Sequence, residues 1–137
     1  MGDIRFYKKI NNEKVKIVLI LAKYDGKWIF CKHKKRDTFE ICGGHVEYKE
    51  EILEAAKREL YEESGAISNS LKLLGYVANY KMNPTQYSAL YYAEVCKIDK
   101  LPNFEMKEVC LFDTFPENTT YPDVYSKIIK ILKSQKI

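Results

Sequence analysis

The hydrophobic pattern of the chain changes period several times, and each change marks an element. Lys14 to Lys23 (KVKIVLILAK) starts with polar–apolar alternation and becomes continuously apolar, as expected of a buried strand. Tyr24-Asp25-Gly26-Lys27 follows, and Asp-Gly between apolar runs is a strong hairpin signal. The returning run, Lys27 to His33, predicts a second strand, with Trp28, Phe30 and His33 assigned to one face and Ile29 and Cys31 to the other. A short apolar piece, Phe39 to Cys42, leads into Gly43-Gly44. From Glu50 to Ser64 the period becomes helical, with Ile52, Leu53, Ala55, Ala56 and Leu60 forming an apolar stripe and Gly65 placed as a C-cap.

Beyond Gly65, Leu71 to Lys81 and Gln86 to Lys97 read as strands rich in Tyr, Val and Leu, with a turn at Asn83-Pro84. Glu108 to Asp113 predicts a further short strand. Tyr121-Pro122-Asp123 opens a C-terminal helix whose expected buried positions are Val124, Ile128, Ile129 and Leu132. Hairpins around two helices, without regular strand–helix alternation, predict an α/β protein of the α+β type, with a mixed sheet and helices on its faces.

At 137 residues the chain is expected to be one domain, residues 1–137, large enough to bury its own core. The four cysteines (Cys31, Cys42, Cys96, Cys110) are scattered, which suggests reduced thiols rather than zinc or redox chemistry. The N-terminus lacks an apolar signal region, and the longest purely apolar run, Ile17 to Ala22, is too short to span a bilayer. A cytoplasmic protein without a membrane partner is the expectation, monomeric or homodimeric through exposed N-terminal strand edges.

The charge distribution points to chemistry. A net charge of +4 hides a segment from Gly43 to Ala66 that holds seven glutamates: Glu47, Glu50, Glu51, Glu54, Glu59, Glu62 and Glu63. Glu59, Glu62 and Glu63 stand at i, i+3 and i+4, so on a helix they share one face and repel one another. They also lie in the last turn, where the helix dipole disfavours negative charge. That arrangement calls for a cation, and magnesium takes carboxylate oxygens together with substrate phosphates. A solvated acidic face is the plainer alternative. The basic run Lys32, Lys34, Lys35 and Arg36 just before the segment could hold a polyphosphate, or could be ordinary surface lysine and arginine. With no extended basic stripe interleaved with aromatics, a DNA duplex is not expected as a partner.

Spacing separates the two readings. From Gly44 the chain runs five residues to Glu50, seven more to Arg58, and then Arg58-Glu59-Leu60-Tyr61-Glu62-Glu63-Ser64-Gly65-Ala66. This resembles the signature of the Nudix hydrolases, the MutT-like family. Ala66 stands where the family prefers a larger aliphatic residue, and Lys49 where it often has glycine. The resemblance implies an α/β/α sandwich carrying the signature as a loop–helix–loop. It implies magnesium, with manganese able to take its place, bound by Glu59 and Glu63, by Glu62 directly or through water, and by the Gly43 carbonyl. Arg58 would orient a carboxylate, and Glu50 would support the loop. Glu62 or Glu59 would act as general base, with Glu105 and Glu108 as candidates outside the signature.

Substrate identity lies elsewhere in the chain. Phe115-Pro116-Glu117-Asn118 is similar to the region where MutT-type enzymes place a base-reading asparagine, which makes Asn118 a candidate; a helix-entry turn explains it equally well. The expected activity is hydrolysis of a nucleoside diphosphate-linked compound, with a nucleoside triphosphate, oxidised purines included, cut to monophosphate and pyrophosphate. Removal of pyrophosphate from RNA 5′ ends, with Lys32, Lys34 and Arg36 gripping the strand, is the second reading. A non-catalytic nucleotide-binding module is the third, and retention of Glu59, Glu62, Glu63 and Arg58 counts against it.

Overall fold

The computed structural model describes residues 3–33, 35–68, 70–99 and 107–137. In chain order the elements are β1 (Ile4–Tyr7), a short 3-10 turn (Asn12–Lys14), β2 (Val15–Tyr24), β3 (Lys27–His33), β4 (Phe39–Glu40), β5 (Cys42–His45), α1 (Ile52–Ser64), β6 (Ala66–Ile67), β7 (Ser70–Asn79), β8 (Gln86–Glu94), β9 (Lys97–Ile98), β10 (Lys107–Phe112) and α2 (Pro122–Gln135). Among the described residues, the main sheet runs β1-β7-β8-β2-β3-β10, with β4 paired to β3 and β5 to β2. The sheet is mixed: β2 and β8 are parallel, and the other pairs are antiparallel. β6 and β9 form a separate two-stranded ribbon.

Strand alternation divides the core in two. Val18, Ile20, Ala22, Ile29 and Cys31 point to one face and pack with Ala55, Ala56 and Leu60 of α1. Leu21, Trp28 and Phe30 point to the other and pack with Tyr125, Ile128, Ile131 and Leu132 of α2. The result is the expected α/β/α sandwich. Phe30 is fully buried and meets Phe112, Phe115 and Tyr125 edge to face at 5.7, 5.0 and 6.2 Å between centroids, the geometry aromatic quadrupoles favour.

The hairpin stands where Asp25-Gly26 placed it, with φ of 54° and 76° at the two turn residues, as a type I′ turn requires. Gly65 caps α1 at φ 74°, and its N–H donates to the Tyr61 carbonyl at 2.7 Å. Three expectations change. His33 continues the alternation of β3, which puts it on the Ile29 and Cys31 face rather than with Trp28 and Phe30. Leu53 is 40% exposed, so the buried stripe of α1 is narrower than predicted. On α2, Tyr125 and Ile131 are buried with Ile128 and Leu132, while Ile129 and Val124 are only partly covered. Tyr125 is anchored because its hydroxyl accepts from the Ile41 N–H at 3.0 Å.

The two-face packing is tested by contrast within one helix. Leu60→Ala should lower unfolding free energy by about 2–5 kcal/mol in urea titration, because Leu60 is 1% exposed. Leu53→Ala should change it by no more than about 0.5 kcal/mol.

Candidate active site

The glutamate-rich segment is built as strand, turn and helix. β5 brings Gly43-Gly44 alongside Leu19 and Val18 of β2. The chain then turns tightly: Glu50 N–H donates to the Glu47 carbonyl at 3.0 Å, and Glu47 N–H donates to Glu50 Oε1 at 2.9 Å. Lys49 takes φ 64° inside this turn, the left-handed region that favours glycine, which accounts for the family's glycine at that position. The turn draws Glu50 out of the helix, so α1 begins at Ile52 rather than at Glu50.

Arg58 organises the carboxylates. Its Nε donates to Glu50 Oε2 at 2.8 Å and its Nη2 to Glu50 Oε1 at 3.0 Å, a bidentate pair. Nη1 donates to Glu59 Oε2 and to Glu62 Oε1, both at 3.0 Å, and Nη2 also donates to the His45 carbonyl at 2.9 Å. The bonds from Arg58, with the Glu47 N–H, hold the Glu50 carboxyl down from 4.5 to about 2. The bond to Glu50 in turn pushes the Arg58 guanidinium above its ordinary value. The cation demanded by the crowded carboxylates is thus supplied in part from within the helix.

Glu63 and Glu59 lie against the glycine pair. Gly43 N–H donates to Glu63 Oε1 at 3.4 Å. A Cβ at Gly44 would fall 2.2 Å from Glu59 Oε2, so only glycine leaves that carboxylate its space. The donors here are hard oxygens grouped on one helix face, which suits a divalent cation. Each carboxylate offers about four lone-pair sites, so a guanidinium and a metal can share one. Among the described residues, no three acidic, imidazole or thiol groups already stand in coordinating positions. The donor chemistry and the space at Gly44 fit a metal.

On the α2 side of the sheet, a cavity of about 270 Å³ opens beside β5. Gly43, Gly44 and His45 form one wall, so the strand beside the glutamates also borders the cavity. Ile17, Leu19 and Val77 contribute apolar wall, and Glu40, Ser88 and Tyr125 contribute polar groups. Sequence reasoning missed Glu40. The available signal was an acid alone in the apolar run Phe39 to Cys42.

The other candidates fall at varied places. Asn118 is not among the residues lining the cavity; its side-chain amide donates to the Asp37 carbonyl, and its own carbonyl accepts from Phe39 N–H at 2.9 Å. It therefore fixes β4 from outside. Arg36 Nη1 donates to Glu40 Oε2 at 2.6 Å. Lys32 lies opposite Glu108 across β3 and β10, with Nζ 3.9 Å from Oε2. Lys34 and Glu105 lie outside the described residues.

Comparison with known proteins agrees with this architecture. The family model described as NUDIX domain matches residues 10–127. The Bacillus subtilis (strain 168) protein named putative 8-oxo-dGTP diphosphatase YtkD is 35% identical over 120 residues, covering 87% of this chain and 75% of that one. A crystal structure of a mutant of the Bacillus subtilis pyrophosphohydrolase BsRppH is 29% identical with a TM-score of 0.82, covering 98% of this chain and 92% of that one. A NUDIX hydrolase from Nitrosomonas europaea shares the fold at 20% identity and a TM-score of 0.70, over 90% of this chain and 91% of that one. With the spacing from Gly44 to Ala66 folded as strand, turn and capped helix around Arg58, this chain belongs to the NUDIX family and is a pyrophosphohydrolase.

Proposed function

We propose that the enzyme hydrolyses a purine nucleoside triphosphate, oxidised purines included, to the monophosphate and pyrophosphate, with magnesium as the metal and manganese as a substitute. The observation that carries this reading is the position of β5. One strand separates the Arg58-bound glutamates from a cavity with apolar walls and a few polar groups, so phosphates and base can occupy the two sides of it. The volume of about 270 Å³ is near the lower end of small-molecule sites, which suits a base better than a whole nucleotide. The similarity to YtkD, named for 8-oxo-dGTP, supports the same substrate class.

In this reading Glu59, Glu63, Glu62 and the Gly43 carbonyl hold magnesium. Bound there, magnesium supplies neutralising charge for phosphate oxygens and a lowered pKa for attacking water. The chain's own groups do the rest. Glu62 or Glu59 takes the proton as a water oxygen bonds to phosphorus and the anhydride P–O bond breaks, releasing pyrophosphate. Arg58 keeps Glu59 and Glu62 in fixed orientations, and Glu50 keeps Arg58 fixed by its bidentate grip. The RNA 5′-end reading relied on a basic grip, and Lys32 and Arg36 are engaged with Glu108 and Glu40.

Pyrophosphate release should be measured with GTP, dGTP, 8-oxo-dGTP, ATP and a 5′-triphosphorylated RNA, with magnesium and with EDTA. The expected result is turnover of the purine triphosphates that EDTA abolishes. Turnover of the RNA alone would replace this reading with the second one, and tight nucleotide binding without any release would leave only a binding module.

Arg58→Lys keeps the charge but loses the planar fork, and kcat should fall by about 10–100-fold. Wild-type kcat in that variant would remove Arg58 from the orienting role. The lowered Glu50 pKa adds stability that is fully present above about 4.5 and is lost as pH falls toward about 2. Glu50→Gln should therefore be less stable than wild type at neutral pH, with the difference shrinking across that acid window in urea titrations.

A further inference from the structure

Among the described residues, Glu40 is the one acidic side chain in the cavity wall, and nothing above gives it a task. Its side chain is 16% exposed. Arg36 Nη1 and Thr120 Oγ1 reach it at 2.6 and 3.0 Å, and both bonds end on Oε2. Oε1 takes part in neither. The segment before α2 fixes the strand that carries Glu40: Thr119 bridges Phe39, and Thr120 N–H donates to the Phe39 carbonyl at 3.1 Å. Tyr125, 4% exposed, lines the same cavity. Its oxygen accepts from Ile41 N–H at 3.0 Å, which leaves its own proton to be given. Burial and the nearby Glu40 charge push the phenol's pKa up, so it keeps that proton. The wall thus offers a carboxylate acceptor close to a buried donor.

Resting on the nucleotide reading above, we propose that Glu40 selects the base, accepting the ring N–H and exocyclic amine of a guanine-type edge while Tyr125 donates to the neighbouring carbonyl oxygen. An ionised carboxylate can only accept. Guanine presents two N–H donors beside a carbonyl, and 8-oxoguanine keeps all three groups. Adenine turns a ring-nitrogen lone pair toward the same place, and that lone pair would face the carboxylate. Sites built around such bonds reject partners that cannot make them far more strongly than apolar pockets discriminate by size. Arg36 and Thr120 hold the carboxylate in one rotamer. In this account Asn118 acts one step removed, by fixing β4.

The test is titration calorimetry with GMP, IMP, AMP and 1-methyl-GMP, which needs neither metal nor turnover. Wild-type protein should bind GMP at least about tenfold tighter than AMP or 1-methyl-GMP, with IMP, which lacks the exocyclic amine, in between. Glu40→Gln should shrink the GMP-to-AMP ratio to about threefold or less, because an amide can also donate to adenine. The 1-methyl-GMP comparison uses the unaltered protein, so the assignment stays testable even if the variant folds poorly. Equal binding of GMP and 1-methyl-GMP, or a folded Glu40→Gln protein with the wild-type ratio, overturns the assignment while leaving the nucleotide reading in place. Absence of binding by every monophosphate, together with no release from the triphosphates, overturns both.

Discussion

One guanidinium holds the acidic centre of this enzyme together. Arg58 bonds Glu50, Glu59, Glu62 and the His45 carbonyl at once, joining the loop, the helix and the glycine-bearing strand. Without it, α1 would end in like charges at the unfavourable end of its dipole. An exposed helix ion pair contributes little to stability. This one differs because Arg58 is only 23% exposed and its bond to Glu50 is bidentate. It is a geometric clamp whose worth lies in fixing carboxylate positions.

The local parts of this arrangement were legible in the sequence because local forces set them. Asp25-Gly26 dictates its own turn, Gly65 ends its own helix, and Arg58 meets Glu62 by helical spacing alone. The bidentate grip on Glu50 was not legible, because it depends on the Glu47–Glu50 turn holding Glu50 out of the helix. The departure at Lys49 was visible as a missing glycine, and the backbone angle there supplies its meaning.

What remained hidden was assembled across distance. The basic run looked like a phosphate grip, but Lys32 is matched by Glu108 on a strand far away in sequence, and Arg36 by Glu40. Asn118 carried the right chemistry for reading a base, and its amide is bonded to the Asp37 carbonyl instead. The buried face of α2 could not be told from four closely spaced aliphatic residues. It turns on long-range contacts such as the bond between Tyr125 and Ile41, which is remote in sequence.

The strand from Cys42 to His45 lies between two walls that share almost no residues. α1 and its turn make the acidic wall, whereas β4, β7, β8 and α2 contribute to the other. Among the described residues, only the glycine pair and His45 border both, and a side chain at Gly44 would have to displace the Glu59 carboxylate. In the reading proposed above, mutation of one wall would remodel what the enzyme recognises without disturbing how it cuts, so a lineage built on this partition could change diet while keeping its teeth.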